Sequence, residues 1–228
     1  MTDPTPDFLQ ATRSAYDTIA RDYTAHVPDG LAENPLDVAL LTAFAELVRA
    51  NGPAPVADLG SGPGHVTARL HALGVPVFGI DLSPRMVALA RAAHPGLRFH
   101  VGSMTRLDLP DRTLGGVLAL YSTIHVPDDH LPTAFAEIHR TLMPGGQVLL
   151  GFQSGASGDE DRRTHLTERY GHEISLDFHW RTPETVCGLL AAAGLEPHAR
   201  VLREPEAEPE AGRRLPRAFV LARKPGVA

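Results

Sequence analysis

The sequence predicts a single α/β domain built on a doubly wound, mostly parallel, seven-stranded sheet, and three observations carry that prediction. Short apolar runs alternate with amphipathic segments from Val56 to Phe152, the rhythm of strand–helix–strand crossover units. The first run, residues 56–59, passes straight into Gly60-Ser-Gly-Pro-Gly64, so a strand ends in a glycine turn that opens a helix. The run at 147–152 is almost continuously apolar, as a strand buried on both faces requires.

The elements follow in order. Residues 8–26 read as a helix. A second helix is marked by Asn34 as its cap, Pro35 in the first position and Gly52 past its end, with Val27-Pro-Asp-Gly30 as the turn between the two. Lying outside the sheet, residues 1–52 are expected to form an N-terminal helical lid. Residues 53–153 form the ligand-binding core. Strand one (56–59) leads to a helix at 65–73 closed by Gly74, and strand two spans 75–80. Ser83-Pro84 caps a helix running to 93, followed by strand three (97–101) and strand four (117–121). A helix at 129–142 enters the Pro144-Gly145-Gly146 turn before strand five (147–152). Residues 154–181 break the rhythm. Ser154-Gly-Ala-Ser-Gly158 reads as a flexible link, 159–170 as a polar stretch open to a helical reading, and 172–181 as extended. This insertion at the carboxyl end of the sheet is either a solvated excursion or a substrate lid. In residues 182–228, Thr182-Pro183-Glu184 opens a helix ending at Gly194. Strands at 199–203 and 217–223, the last one antiparallel, flank the acidic, proline-rich hairpin loop Glu204-Pro-Glu-Ala-Glu-Pro-Glu210.

Composition narrows the function. A chain of 228 residues has room for one full α/β core. Its net charge of −6 supplies no basic field for nucleic acid. No apolar run approaches the roughly 20 residues of a membrane span, and the start, Met1-Thr-Asp-Pro-Thr-Pro-Asp7, lacks the basic and apolar regions of a signal peptide. One cysteine, Cys187, excludes an internal disulfide and makes a cytoplasmic setting the expectation. The only lysine is Lys224, near the C-terminus, so Schiff-base chemistry is closed, as is the Tyr-x-x-x-Lys pair of short-chain dehydrogenases. The 12 histidines show no metal-ligand spacing, and no metal site is expected.

The glycine turn defines the ligand. Gly60, Gly62 and Gly64 let the backbone approach closely, and the helix that starts near His65 aims its free N–H groups at the bound molecule. Asp81 stands at the end of the next strand, about 20 residues on, where a carboxylate accepts ribose hydroxyls. The unit is therefore a nucleoside-cofactor site. Dinucleotide sites favour Gly-x-Gly-x-x-Gly, whereas here Pro63 and Gly64 close the turn one residue early. Asp58, just ahead of the turn, would repel a pyrophosphate and suits an ammonium.

Three strings carry a resemblance: Val56-Ala-Asp-Leu-Gly-Ser-Gly-Pro-Gly64, Gly79-Ile-Asp-Leu-Ser-Pro-Arg-Met86 and Leu142-Met-Pro-Gly-Gly-Gln-Val-Leu-Leu150. With Tyr16-Asp-Thr-Ile-Ala-Arg-Asp-Tyr23 as a lead-in helix, the chain resembles the class I S-adenosylmethionine-dependent methyltransferases, specifically their small-molecule "type 11" branch. The resemblance is specific from Tyr16 to Phe152 and topological beyond. It implies a Rossmann-like fold, S-adenosylmethionine as cofactor and a small-molecule methyl acceptor, oxygen slightly favoured over nitrogen. It further implies that Gly60, Ser61 and Gly62 hold the methionine moiety, that Asp58 faces its ammonium directly or through water, and that Asp81 holds the ribose. Leu82 and Met86 would pack on adenine near Ser103 and Met104, with Tyr121 at the end of strand four and Tyr16 and Tyr23 on the lid. Two positions depart from the family pattern: Gly102-Ser103-Met104 replaces the usual acid after strand three, and Gly115 stands where an aspartate is common. No Asn/Asp-Pro-Pro-Tyr string follows strand four; Tyr121-Ser-Thr-Ile-His125 is there instead. His125 is the candidate general base, with an unperturbed pKa near 6.5, and His179 is the reserve. A nicotinamide-linked oxidoreductase and a non-catalytic, cofactor-binding regulatory protein are the alternatives.

Overall fold

The computed structural model describes residues 7–26, 34–155, 163–204 and 216–226. A seven-stranded sheet runs in the order β3-β2-β1-β4-β5-β9-β8. Its strands are β1 (Val56–Leu59), β2 (Val77–Asp81), β3 (Arg98–Val101), β4 (Leu114–Leu120), β5 (Leu142–Gln153), β8 (Glu196–Arg203) and β9 (Arg217–Arg223). Strands β1 to β5 pair in parallel, while β9 lies antiparallel between β5 and β8. The winding reverses between β1 and β4, and a crevice opens at the carboxyl ends of strands at such a switch point.

Capping chemistry sets where the helices start. In α2 (Pro35–Ala50), α4 (Pro84–Ala93) and α6 (Pro183–Ala192), the caps Asn34, Ser83 and Thr182 accept from backbone N–H groups at 3.0, 3.1 and 3.2 Å, and each is followed by proline. Each such cap stabilises its helix by about 1 kcal/mol. The remaining helices are α1 (Asp7–His26), α3 (His65–Ala72) and α5 (Leu131–Thr141). Alternation along the central strands divides the core into two layers. Ala57, Val117, Val148 and Leu150 face the side of α5 and α6, whereas Val56, Leu118 and Leu149 pack with Phe44 and Val48 of α2. A parallel strand covered on both faces needs apolar residues at every position.

Several boundaries differ from the sequence expectation. Strand β2 begins at Val77, two residues late, because Pro76 has no N–H for the ladder. Strand β4 begins at Leu114 and so takes Gly115 and Gly116 into the sheet. The larger correction concerns the insertion. Its described part is not helical: β6 (Arg163–Arg169) and β7 (His172–His179) form a separate antiparallel hairpin. The hairpin turns through Tyr170 and Gly171 at φ +54° and +78°, the paired positive values of a two-residue type I′ turn. The expected turn at 27–30, the link residues 156–158 and the acidic run at 205–210 lie outside the described residues. Among the described residues, no helix is long and apolar enough to cross a membrane.

Candidate active site

The glycine turn is shaped by what lies against it. Gly60 has φ +73°, and a Cβ there would stand 2.3 Å from Ser122 Cβ. Ser122 in turn donates from its hydroxyl to the Leu59 carbonyl at 2.7 Å, locking the ends of β1 and β4 together. Gly62, at φ +52°, faces open space. The left-handed backbone makes both positions suited to glycine, and the second leaves a cradle for a ligand.

Asp81 is fixed by the same turn. Its Oδ2 accepts from the Gly62 N–H and its Oδ1 from the Ser83 N–H, both at 2.8 Å. Burial pushes its carboxyl up to about 6, against the pull of those two donors. Each oxygen keeps a lone pair for a further hydroxyl. Asp58 lies deeper. It is 2% exposed and accepts from Thr67 Oγ1 at 2.6 Å, and burial raises its carboxyl to about 7. It ties β1 to α3 beneath the turn and does not line the cavity.

The cavity occupies the crevice at the switch point and is partly open to solvent. Tyr16, Tyr23, Gly60, Gly62, Asp81, Leu82, Met86, Ser103, Met104, Tyr121 and His125 all line it, whereas Ser61 does not. The Ser61 hydroxyl is buried with no hydrogen-bond partner, and Ser103 spends its hydroxyl on Thr105 at 2.8 Å. Tyr121 sits at φ +54°; a bulky residue in that region is strained, and such strain collects at functional sites.

Helix α1 closes over this space and is pinned at three points. Asp17 Oδ1 accepts from Ser83 Oγ at 2.6 Å and from the Arg85 N–H at 3.1 Å, so the lid helps cap α4. Asp22 meets His172 Nε2 at 2.9 Å. Tyr16 meets His125 Nε2 at 2.7 Å.

The last contact defines a proton arrangement. His125 Nδ1 lies 2.9 Å from the Asp177 carbonyl oxygen, which can only accept, so Nδ1 carries the hydrogen. Neutral His125 therefore presents Nε2 as an acceptor, and the Tyr16 hydroxyl donates to it. Burial lowers His125 to about 4 and, with Tyr23 adding, raises Tyr16 well above the usual phenol value. Both groups are held neutral. His179, the reserve base, does not line the cavity.

Arg181 supports this geometry from below. Its side chain is buried and donates from Nε to Asp128 at 2.7 Å, from Nη1 to the Thr123 carbonyl at 3.2 Å and from Nη2 to the Val126 carbonyl. It thus wraps the 3₁₀ turn (Thr123–His125) that carries His125. Replacing Arg181 by methionine strands two backbone carbonyls. The expected loss is about 2–4 kcal/mol of unfolding free energy, read from the urea midpoint; a loss under about 1 kcal/mol would mean that water replaces the guanidinium.

Arg181, Asp17 and the Asp177 carbonyl were not identifiable as site components from the sequence, since each acts on a residue distant in the chain. Asp17 and Asp22 did stand inside the lead-in string that carried Tyr16 and Tyr23. Phe8, Leu9 and Thr12 of α1 also line the cavity, and nothing in their spacing separates them from ordinary packing residues. Among the described residues, no group of three or more His, Cys, Asp or Glu side chains is placed to hold a metal ion.

A nucleoside-binding α/β domain, with an acid at the end of β2 and no dinucleotide turn, is the class that the fold and site define. The family described as "Methyltransferase domain" matches residues 56–146. Over those residues the chain is similar to the class I S-adenosylmethionine-dependent methyltransferases, whose methyl donor is S-adenosylmethionine. Among curated proteins it is 28% identical over 137 residues to a demethylmenaquinone methyltransferase of Chlorobaculum parvum, covering 59% of this chain and 56% of that one. It is 35% identical over 138 residues to a malonyl-[acyl-carrier protein] O-methyltransferase of Pectobacterium atrosepticum, covering 55% and 53%. The chain thus spans about half the length of the curated relatives it matches. Among solved structures, the DhpI–SAH complex superposes with a TM-score of 0.70 at 21% identity, covering 99% of this chain and 100% of that one. The [4+2]-cyclase SpnF gives 0.71 at 18%, covering 98% and 99%. At these identities the two likenesses establish the fold.

Proposed function

We propose that the chain transfers a methyl group from S-adenosylmethionine to a small-molecule acceptor, with oxygen slightly favoured over nitrogen. The observation that carries this reading is Asp81, a carboxylate aimed by two backbone donors into an otherwise largely apolar cavity. Its two oxygens suit the vicinal ribose hydroxyls. Leu82 and Met86 offer an apolar face to adenine, with Ser103 and Met104 at its edge. Gly60 and Gly62 admit the methionine part, and the buried Ser61 hydroxyl lies beside it. Asp58, set below the turn, would act on the ammonium through water. Tyr16, Tyr23 and Tyr121 wall the site, and the β6–β7 hairpin holds α1 in place as the outer lid.

When bound, S-adenosylmethionine supplies a sulfonium methyl that is already activated, so alignment and exclusion of water are most of what the protein adds. For a hydroxyl acceptor, Tyr16 and His125 provide the proton route. The acceptor proton passes to Tyr16 Oη as the Tyr16 proton moves to His125 Nε2. His125 then carries the charge and, with a pKa near 4, releases it readily to solvent. The preference for oxygen rests on Tyr121-Ser-Thr-Ile-His125 in place of an Asn/Asp-Pro-Pro-Tyr string, and it agrees with the O-methyltransferase among the relatives.

Incubation with labelled donor and a panel of phenols, amines and carboxylates tests the transfer directly. Calorimetry should show S-adenosylmethionine and S-adenosylhomocysteine binding while NADH does not. Asp81→Ala is expected to weaken both by about 1.5–3 kcal/mol, the range for hydrogen bonds to a charged group. Tight NADH binding without any response to S-adenosylmethionine would end this reading in favour of hydride transfer. Cofactor binding with no labelled product across the panel would favour a regulatory protein.

A further inference from the structure

One cation stands next to Tyr23, which lines the cavity, without lining the cavity itself, and has no part in the chemistry above. Arg169 is the last residue of β6 and pairs with His172 across the hairpin. Its guanidinium carbon stands 5.9 Å from the centroid of the Tyr23 ring and 5.0 Å from that of Tyr170. Tyr23 meets Tyr16 edge-on at 5.7 Å, and both rings line the cavity. The Arg169 charge is felt at Tyr16, Tyr23 and His125. Its position is built rather than incidental, because the hairpin is tied to α1 by Asp22–His172 and by His26 stacked on Tyr170 at 4.7 Å.

Two other arginines of this insertion, both among the described residues, are matched to acids. Arg163 pairs with Asp177 at 2.7 Å and Arg181 with Asp128 at 2.7 Å. Among the described residues, Arg169 has no Asp or Glu partner, and its neighbours Tyr23 and Tyr170 are aromatic. Rings satisfy the flat faces of a guanidinium, but the N–H edge is shaped for a carboxylate in a two-pronged contact. A half-buried arginine whose faces are held and whose edge meets no acid is prepared for an anionic ligand.

We propose that Arg169 binds a carboxylate of a ligand held in this cavity, borne either by the amino-acid end of the donor or by the methyl acceptor. The proposal rests on the methyltransferase reading. It assigns the hairpin a recognition role in addition to that of a cover.

Calorimetry on the full chain separates the two sources. S-adenosylhomocysteine and 5′-methylthioadenosine, which lacks the amino-acid end, would be titrated into the wild type, Arg169→Gln and Arg169→Lys. The thermal midpoint of the S-adenosylhomocysteine complex would then be followed with benzoate or benzamide added. If the donor carries the carboxylate, Arg169→Gln weakens S-adenosylhomocysteine tenfold or more and leaves 5′-methylthioadenosine unchanged. If the acceptor carries it, S-adenosylhomocysteine is unaffected, while benzoate raises the wild-type midpoint and not that of Arg169→Gln, with benzamide inert. Arg169→Lys should restore part of either effect, which a packing defect would not. Equal weakening of both nucleosides, or wild-type behaviour of Arg169→Gln in every titration, overturns the proposal. Failure of the wild type to bind either nucleoside would instead overturn the methyltransferase reading beneath it.

Discussion

Replacing His125 by glutamine should lower turnover about 100-fold or more while leaving donor affinity near that of the wild type. The reason lies in the fixed tautomer. The Asp177 carbonyl holds the hydrogen on Nδ1, so Nε2 is the basic atom, and Tyr16 Oη is the group within reach of it at 2.7 Å. Glutamine can still meet the Tyr16 hydroxyl but cannot take a proton. Tyr16→Phe keeps the ring edge-on to Tyr23 and removes the relay, so it should cost a similar factor. The double variant should be little worse than either single one, because groups that act as a unit are not additive. With donor saturating, the rate should also show no inflection from His125 between pH 6 and 8. His125, lowered to about 4 by burial, is neutral throughout that window and loses its capacity to accept a proton only as pH falls towards 4. An inflection near 6.5 would mean a solvated histidine and a different base. A change in acceptor KM alone would demote His125 to positioning, and wild-type kinetics would remove it from the chemistry.

The parts of this site that the sequence displayed are those written in local chemistry. A strand, a glycine turn, a helix and an acid at the next strand end are contiguous, and every one appears where its residues demand. The Asn34-Pro35, Ser83-Pro84 and Thr182-Pro183 pairs likewise place three helix starts, since cap and proline act within one turn. What could not be read is contact across distance. The Asp177 carbonyl lies 52 residues from His125 and is a backbone atom that any residue type would supply. The hairpin was obscured for a different reason. β6 presents Arg163, His165, Thr167 and Arg169 on one side, with only Leu166 as a large apolar residue between them, so its alternation is faint. Its turn is Tyr170-Gly171 rather than the Asn-Gly or Asp-Gly that signals a type I′ turn. Arg169 therefore read as one charge in a polar stretch, although the fold sets it beside Tyr23. Asp58 shows the opposite case. Its place before the turn suggests an ammonium met directly or through water, and the inward-facing side of β1 buries it against Thr67, which leaves the route through water.

That burial leads to the last expected result: without ligand, the protein should lose stability as pH rises from about 4 to 7, and Asp58→Asn should remove much of the loss. Asp58 titrates near 3.9 in an unfolded chain but is raised to about 7 in the fold, chiefly by burial, which the Thr67 hydrogen bond only partly offsets. Between those values the folded state holds a proton that the unfolded state has released. The unfolding free energy therefore falls with increasing pH. The contribution is fully present below about pH 4 and is gone once pH passes the folded value. At 1.36 kcal/mol for each pH unit of displacement, it amounts to at most about 4 kcal/mol. Asp81, raised to about 6, adds a smaller effect of the same sign, tempered by its partial exposure. Asparagine is nearly the same shape, keeps an acceptor for Thr67 Oγ1 and carries no charge at any pH. Urea unfolding at pH 5, 6.5 and 8 would measure both proteins, and the variant should pull ahead of the wild type as pH increases. Parallel pH profiles for the two would show that Asp58 ionises in the fold at no special cost, through a water that reaches it. If the profiles do diverge, a ligand ammonium held over that carboxylate should recover part of the loss, and S-adenosylhomocysteine should bind more tightly to the wild type as pH rises through the same window.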